Sequence, residues 1–279
     1  MVYNTHMTII KPNSIPKWRF KNSKIRKSLP EDIISVEKKS DDEEIFQNTI
    51  LTLTLIYNDA KNIVLINETL ANVYELDLEK AICDNNGELT GVNQYISRIL
   101  FSHIHEALMY IKKQRKILES ECFKKLTNNM STDSKLKWEL ISTIAYEEEL
   151  DERKFKKGFG GEYSNIIELL KTIRDNVGFH YQYDNHPKKK RIVDGYRKFF
   201  FKEPKEKKNE YALRSYQKTE FSNTRYYFTD ATIEGYFSDL LNDKHNIADF
   251  TNMALEISAL ISFSINSILG EFFKTLPNR

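Results

Sequence analysis

The chain has 279 residues, of which 40% are hydrophobic and 12% aromatic, so it is long enough to bury a large core in one domain or two. Its only two cysteines, Cys83 and Cys122, are too few for a disulfide framework or a thiolate metal cage, which favours a reducing compartment. The first twenty residues show neither an apolar h-region nor a small-residue cleavage site, so no signal peptide is predicted and a cytoplasmic protein is expected.

The net charge of +2 is unevenly distributed. Residues 1–30 contain seven Lys or Arg and no acidic residue, and residues 186–219 contain twelve Lys or Arg against four acidic residues. Basic segments on an acidic body suit a polyanion such as RNA, although charge runs are also common on solvated surfaces. We divide the chain into a basic N-terminal arm, residues 1–38, and a helical domain, residues 39–279, with a basic insertion at about 186–229.

Sparse prolines and glycines predict long helices in this domain. The first follows the cap residue Ser40 and an acidic first turn, and covers residues 40–76 in about nine turns. Further helices are predicted over 93–120, 133–150, 165–177 and 253–273. The last is the most apolar, but it is interrupted by Glu256, Asn266 and Glu271 and is therefore expected to be a core helix, with no membrane span.

Two of these helices carry apolar stripes at helical spacing. The stripe of the second comprises Ile96, Ile99, Leu100, His103, Ala107 and Leu108, and that of the fourth comprises Ile166, Leu169, Leu170, Ile173 and Val177. Residues 196–229 differ, because "YRKFFF", "EYALRSYQ" and "TRYYF" favour short strands. The predicted fold is therefore all-α, an antiparallel helical bundle with a small β-rich basic insertion and an extended N-terminal arm.

Common cofactor and metal motifs are not found. The glycines of "GFGG" are not followed by the residues of a phosphate loop, so a hinge is the better interpretation. His103 and His105 are two residues apart and would point about 200° away from each other on a helix, so they cannot share a metal ion. We therefore predict neither a cofactor nor a metal site.

The stretch "RDNVGFHY", residues 174–181, combines an arginine and a histidine at the end of the fourth helix. Arg174 is four residues after Leu170, at the flank of the apolar stripe, where it would be partly desolvated unless an anionic partner were present. His180 would lie about 9 Å further along an ideal helix and about 120° around it. The two side chains can meet only if Gly178 bends the last turn or if a second copy of the helix packs antiparallel.

The string "LLKTIRDNVGFHYQYD" resembles the signature of the HEPN superfamily, all-α domains defined by an Arg, a polar residue, and a His after four to six residues. In this chain these are Arg174, the polar Asp175 and Asn176, and His180. The resemblance extends over roughly residues 41–183 and 231–276. It implies a homodimer with both Arg–His pairs at the interface and, in active members, a metal-independent ribonuclease, often in toxin, abortive-infection or other defence systems.

A second pair, Arg98 and His103, also fits the spacing of four to six residues that the motif allows. We set it aside because Arg98 is followed by Ile and Leu inside a regular helix. Many toxic HEPN members have a tyrosine two places after the histidine, and this chain departs from them with Gln182 between Tyr181 and Tyr183.

The resemblance assigns a role to each motif residue. His180 would act as general acid or base near neutral pH. Arg174 would bind the phosphate oxygens on which charge accumulates in the transition state. Asp175 and Asn176 would orient these two side chains or contact the ribose. Asp59 of the first helix would either pair with Arg174 or face water.

The basic insertion is the candidate RNA-binding segment. Lys188, Lys189, Lys190 and Arg191 would bind phosphates, and aromatic side chains such as Tyr181 and Tyr183 would stack on bases. Alternatively, the aromatics of the insertion pack on the bundle and its lysines face water. The expected partners are RNA, a second copy of the chain, and an antitoxin or other defence protein. Two other functions stay open, a non-catalytic dimeric adaptor and a nucleotide-binding or AMP-accepting module linked to an antitoxin.

Overall fold

The structure is a computed structural model, and it describes residues 30–33, 40–73, 88–146, 170, 171, 173, 174, 194, 197, 201, 232, 233, 236 and 247–277. Seven helices have defined bounds within these ranges: α1 Pro30–Ile33, α2 Asp41–Val73, α3 Glu88–Lys113, α4 Arg115–Leu118, α5 Glu121–Asn129, α6 Thr132–Tyr146 and α7 Ile247–Thr275. Leu170, Lys171, Ile173 and Arg174 are also helical, and we call these four residues the Arg174 segment. The described part of the chain contains no strand, which confirms the all-α prediction for that part.

Helix α2 begins as its sequence predicts. The backbone N–H of Glu43 donates to Ser40 Oγ at 3.2 Å, and the backbone N–H of Glu44 donates to the Ser40 carbonyl at 3.1 Å. Four acidic residues fill the first turn, where the positive end of the helix dipole stabilises them. The helix has 33 residues, Asp41–Val73, and the last three residues of the predicted range, 74–76, lie outside the described residues.

The predicted second helix is in fact two helices. Helix α3 ends at Lys113, Gln114 forms a turn with φ −92° and ψ 13°, and α4 continues only to Leu118. Ser120 then caps α5 by accepting a hydrogen bond from the Phe123 backbone N–H at 3.4 Å. Helix α5 was not anticipated, because its nine residues are too few to show a long apolar period.

Four long helices, α2, α3, α6 and α7, share one hydrophobic core. Helices α3 and α7 each contact the other three. The rings of Phe46 in α2 and Phe272 in α7 lie 6.2 Å apart, and those of Phe123 in α5 and Trp138 in α6 lie 6.0 Å apart. Leu170 and Ile173 are buried in the same core, so the Arg174 segment packs against the long helices. Their burial confirms these two positions of the apolar stripe predicted for the fourth helix.

Helices α6 and α7 run in opposite directions. Ser267 Oγ donates to Ser134 Oγ at 3.1 Å, and the Lys137 ammonium lies 3.9 Å from the centre of the Phe263 ring. From Ser134 to Lys137 on α6, the contacted residue on α7 changes from Ser267 to Phe263. Residue numbers therefore rise in opposite directions along the two helices, so their axes are antiparallel.

The predicted core helix is confirmed in α7. Seven hydrophobic residues in the described part of α7 are buried against the other helices: Ala254, Ile257, Ile261, Ile265, Ile268, Leu269 and Phe272. By length and composition alone, Met253–Thr275 would also be able to cross a membrane, a test that buried helices of soluble proteins pass as well.

Most of the two basic segments lies outside the described residues. Of the N-terminal arm, only the short helix α1 is described. In the insertion, Asp194, Arg197 and Phe201 are described and all three are helical, so the predicted strands are not confirmed. Arg197 Nη1 donates to Asp194 Oδ1 at 3.1 Å, a contact between residues three apart that suits one helical turn.

Candidate functional site

Arg174 has the anionic partner that its position requires, and the partner is Glu106 of α3. Leu170 and Ile173 are buried, which anchors the segment and holds the stem of Arg174 at the edge of the core. Its Nε atom lies 2.6 Å from Glu106 Oε1, with side-chain exposures of 29% for Arg174 and 58% for Glu106. The partly desolvated guanidinium is therefore neutralised by a carboxylate that still contacts solvent.

An open cleft of about 550 Å³ lies beside this ion pair, between α2, α3 and the Arg174 segment. This volume is within the usual range of small-ligand sites, roughly 300–1,000 Å³. We call it the Arg174 cleft. Its lining residues are Asp59, Asn62, Ile63, Ile66, Ile99, Ser102, His103, Glu106 and Arg174. Helices α2 and α3 thus contribute polar side chains and isoleucines to the cleft that Arg174 lines.

Asp59 lines the same cleft as Arg174, and its side chain is exposed. Of the two roles expected for it, facing water is the one that the structure shows. The charge of Asp59 favours the protonated form of His103, another lining residue, and so opposes the lowering of the His103 pKa by burial. The carboxylate of Asp59 therefore contributes to the electrostatics of the cleft, although Glu106 is the acid that pairs with Arg174.

His103 is held in one tautomer. Its Nε2 atom lies 3.0 Å from the Ile56 carbonyl oxygen, and because a carbonyl oxygen only accepts, Nε2 carries the proton. Burial lowers the pKa of His103 below its ordinary value of 6.5, while the bond to Ile56 and the charge of Asp59 oppose that shift. Nδ1 is buried and receives no hydrogen bond from the part of the chain that the structure describes. At neutral pH His103 is a neutral imidazole.

This pKa shift predicts a loss of stability in acid. The unfolded chain protonates His103 near its ordinary pKa of 6.5, whereas the folded protein binds that proton only at lower pH. The free energy of unfolding should therefore fall as the pH drops below 6.5 and stop falling once the folded-state pKa is passed. Urea unfolding at several pH values measures it, and His103→Gln should show a smaller decrease. An identical pH dependence in both proteins would exclude His103 as the cause.

The lining of the cleft carries two carboxylates, one guanidinium and a neutral imidazole. A guanidinium can bind phosphate, and a carboxylate or imidazole can transfer protons, so the set has the groups needed for general acid–base chemistry at a phosphodiester. In the ranges that the structure describes, no three His, Cys, Asp or Glu side chains lie close enough to hold a metal ion.

Several predicted site residues lie outside the described ranges. They are Asp175, Asn176, His180, Tyr181, Tyr183, Lys188, Lys189, Lys190 and Arg191. Their assigned roles stay predictions. The pair that was set aside, Arg98 and His103, is described: the Arg98 guanidinium lies over the Tyr95 ring at 5.6 Å, and only His103 lines the cleft.

Glu106 was missed from the sequence. It is three residues after His103 and four after Ser102, so it follows both on one flank of α3. In "FSHIHEALMY" it is the single acid between buried positions, and that isolation beside an apolar stripe was the available signal. The sequence does not indicate which cation Glu106 pairs with, because Arg174 is distant along the chain.

Comparison with models of protein families, with curated protein sequences and with solved structures gave no match for this chain.

Proposed function

We propose that the protein is a metal-independent endoribonuclease of the HEPN type that acts in a toxin or defence system. The observation that carries this proposal is Arg174: the arginine of the HEPN-like motif lies half-buried at the edge of an open cleft lined by groups capable of proton transfer. Arg174 binds the scissile phosphate, His180 transfers a proton, and Asp175 and Asn176 orient them.

The assembly belongs to the same proposal. The helices form an antiparallel bundle, two copies pair through their motif helices in the cytoplasm, and an antitoxin or other defence protein controls the activity. The argument for pairing is the offset of about 9 Å and 120° between Arg174 and His180 on one ideal helix, which a second copy can close. Light scattering should give about twice the chain mass of 32.9 kDa, and a monomer at micromolar concentration would refute the dimer.

Turnover in a chelator tests the function directly. Purified protein is incubated with mixed RNA in EDTA, and the ends of the products are identified by mass spectrometry. Attack by a 2′-hydroxyl predicts fragments that end in 2′,3′-cyclic phosphate together with 5′-hydroxyl ends. Intact RNA at high enzyme concentration, from protein with normal helical circular dichroism, would reject the ribonuclease.

The insertion supplies RNA affinity in this proposal, because its basic residues alternate with aromatic ones. Replacing Lys188, Lys189, Lys190 and Arg191 with serine should weaken RNA binding and flatten its dependence on salt, since fewer counterions are released. Binding measured by fluorescence anisotropy at several salt concentrations checks this, with the rate at saturating RNA as the control that should not change. Unchanged affinity and salt slope would assign RNA binding to another segment, such as the N-terminal arm.

A second candidate function, a dimeric adaptor without catalysis, has one observation in its favour. Helix α2 exposes the large apolar side chains Leu51, Leu55 and Ile66, and these positions fall on one helical face that reaches the Arg174 cleft. Such a face suits association with a protein. The turnover experiment separates the two functions, because an adaptor binds without producing cyclic phosphate ends.

A further inference from the structure

We infer that Glu106 is the general base that removes the proton from the attacking 2′-hydroxyl. This inference rests on the ribonuclease proposal and adds to it a residue outside the Arg–His motif. It leaves His180 with a single task, protonation of the leaving oxygen.

The contacts of Glu106 favour this role. Both recorded contacts of its carboxylate use Oε1, at 2.6 Å from Arg174 Nε and at 3.7 Å from His105 Nδ1. Oε2 takes part in no hydrogen bond with the described residues, and the side chain is 58% exposed where it lines the cleft. One oxygen is therefore fixed by the guanidinium while the other can receive a proton.

The position of the base follows from the position of the phosphate. The 2′-hydroxyl is adjacent to the scissile phosphate, so if Arg174 binds that phosphate, a base in contact with the guanidinium is in a suitable place to reach the hydroxyl. The group in contact with the guanidinium is Glu106, at 2.6 Å. A general base must be within hydrogen-bond reach of the proton it takes, and Glu106 is the one cleft carboxylate with a recorded ion pair to Arg174 among the described residues.

The other candidate bases of the cleft fit less well. The Nε2 atom of His103 is occupied as a donor to Ile56, and its Nδ1 atom is buried from solvent and so from a substrate hydroxyl. Asp59 is exposed and lines the cleft, but among the described residues it forms no ion pair with Arg174, unlike Glu106. Glu106 combines solvent access with contact to the phosphate-binding side chain.

Two protein groups carry out the two proton transfers of the reaction. The 2′-oxygen attacks phosphorus while its proton passes to Glu106 Oε2, so the O–H bond breaks as the 2′-O–P bond forms. The P–O5′ bond then breaks, and the departing 5′-oxygen takes a proton from the imidazolium of His180. The products are a 2′,3′-cyclic phosphate and a 5′-hydroxyl. Exchange with water restores the carboxylate and the imidazolium, and no metal or oxidant takes part.

Glu106→Gln separates this role from a positioning role. The amide oxygen of glutamine can still lie beside Arg174 Nε, but glutamine cannot take up the proton. We expect kcat for RNA cleavage to fall on the order of 10²–10⁴-fold, with KM and RNA affinity nearly unchanged. The matched control is Glu119→Gln, since Glu119 Oε1 lies 2.8 Å from Arg115 Nε in an exposed pair that does not line the cleft, and this variant should cleave at the wild-type rate.

A substrate with an activated leaving group identifies which proton is transferred. Nucleoside 3′-(p-nitrophenyl phosphates) release nitrophenolate without an acid but still need a base for the 2′-hydroxyl. On a mixture of the four, His180→Ala should recover most of the wild-type rate, whereas Glu106→Gln should stay impaired to the same degree as on RNA.

The outcomes distinguish failure of the Glu106 role from failure of the ribonuclease proposal. If the wild type cleaves RNA and Glu106→Gln retains at least a third of its kcat, Glu106 is not the base and the ribonuclease stands. Rescue of Glu106→Gln by the activated substrate also overturns the role, because Glu106 would then act on the leaving oxygen. If the wild type cleaves neither substrate, the ribonuclease and the role of Glu106 are rejected together.

Discussion

Replacing Arg174 with alanine is expected to lower the rate of RNA cleavage on the order of 10²- to 10³-fold or more, because the phosphate loses the donors that stabilise its transition-state charge. Arg174→Lys should be nearly as impaired, since an ammonium keeps the charge but loses the planar fork. His180→Ala should also abolish cleavage of natural RNA. The rates are measured on a labelled RNA in EDTA.

The chain offers a matched control for the arginine. Arg115 also places its Nε atom beside a glutamate Oε1, 2.8 Å from Glu119, and it is 48% exposed and outside the Arg174 cleft. Arg115→Ala should therefore leave cleavage unchanged. The side chain of Glu106 is largely exposed, so the loss of its partner in Arg174→Ala should hardly affect folding, which circular dichroism can verify. Equal activity in Arg174→Ala, His180→Ala and the wild type would end the enzyme proposal.

The helices could be predicted wherever local sequence determines them. Ser40 and the acidic turn after it mark the start of α2, because a helix start needs acceptors for its unpaired N–H groups. The isoleucines of α7 recur at helical spacing and are buried as expected. These signals involve residues within one or two helical turns of each other, so they can be identified in a single sequence.

The break after α3 depends on tertiary packing and was not predictable in the same way. The stretch around Gln114 has no proline or glycine, and its residues favour a continuous helix. The structure instead turns there, and the Arg115 guanidinium lies 4.3 Å from the centre of the Tyr146 ring at the far end of α6. Contacts between distant segments override local propensity at this point.

In the candidate site, too, local features could be predicted from the sequence and contacts between distant segments could not. The flank position of Arg174 and its need for an anionic partner follow from the spacing to Leu170, and the structure bears both out. The identity of the partner depends on how the Arg174 segment packs against α3. Local sequence patterns contain no information about that packing. The pairing of Glu106 with Arg174 is therefore known only from the structure.

Replacing Phe123 with alanine is expected to cost about 3–5 kcal/mol of the free energy of unfolding, the usual range for a fully buried phenylalanine. Phe123 belongs to the short helix α5, is completely buried, and lies 6.0 Å from the ring of Trp138. Its removal leaves a cavity where α5 meets the core. Because domains are stable by about 5–15 kcal/mol, a large part of the total would be lost.

The control for this prediction is an exposed phenylalanine. Phe263 on α7 is 42% exposed and receives the Lys137 ammonium at 3.9 Å from its ring centre. Phe263→Ala should therefore cost no more than about 1 kcal/mol, the value of an exposed cation–π contact. Urea unfolding followed by circular dichroism compares the two variants. Similar losses in both would mean that α5 is not anchored to the core through Phe123, whereas a selective loss in Phe123→Ala would show that Phe123 anchors this nine-residue helix to the core.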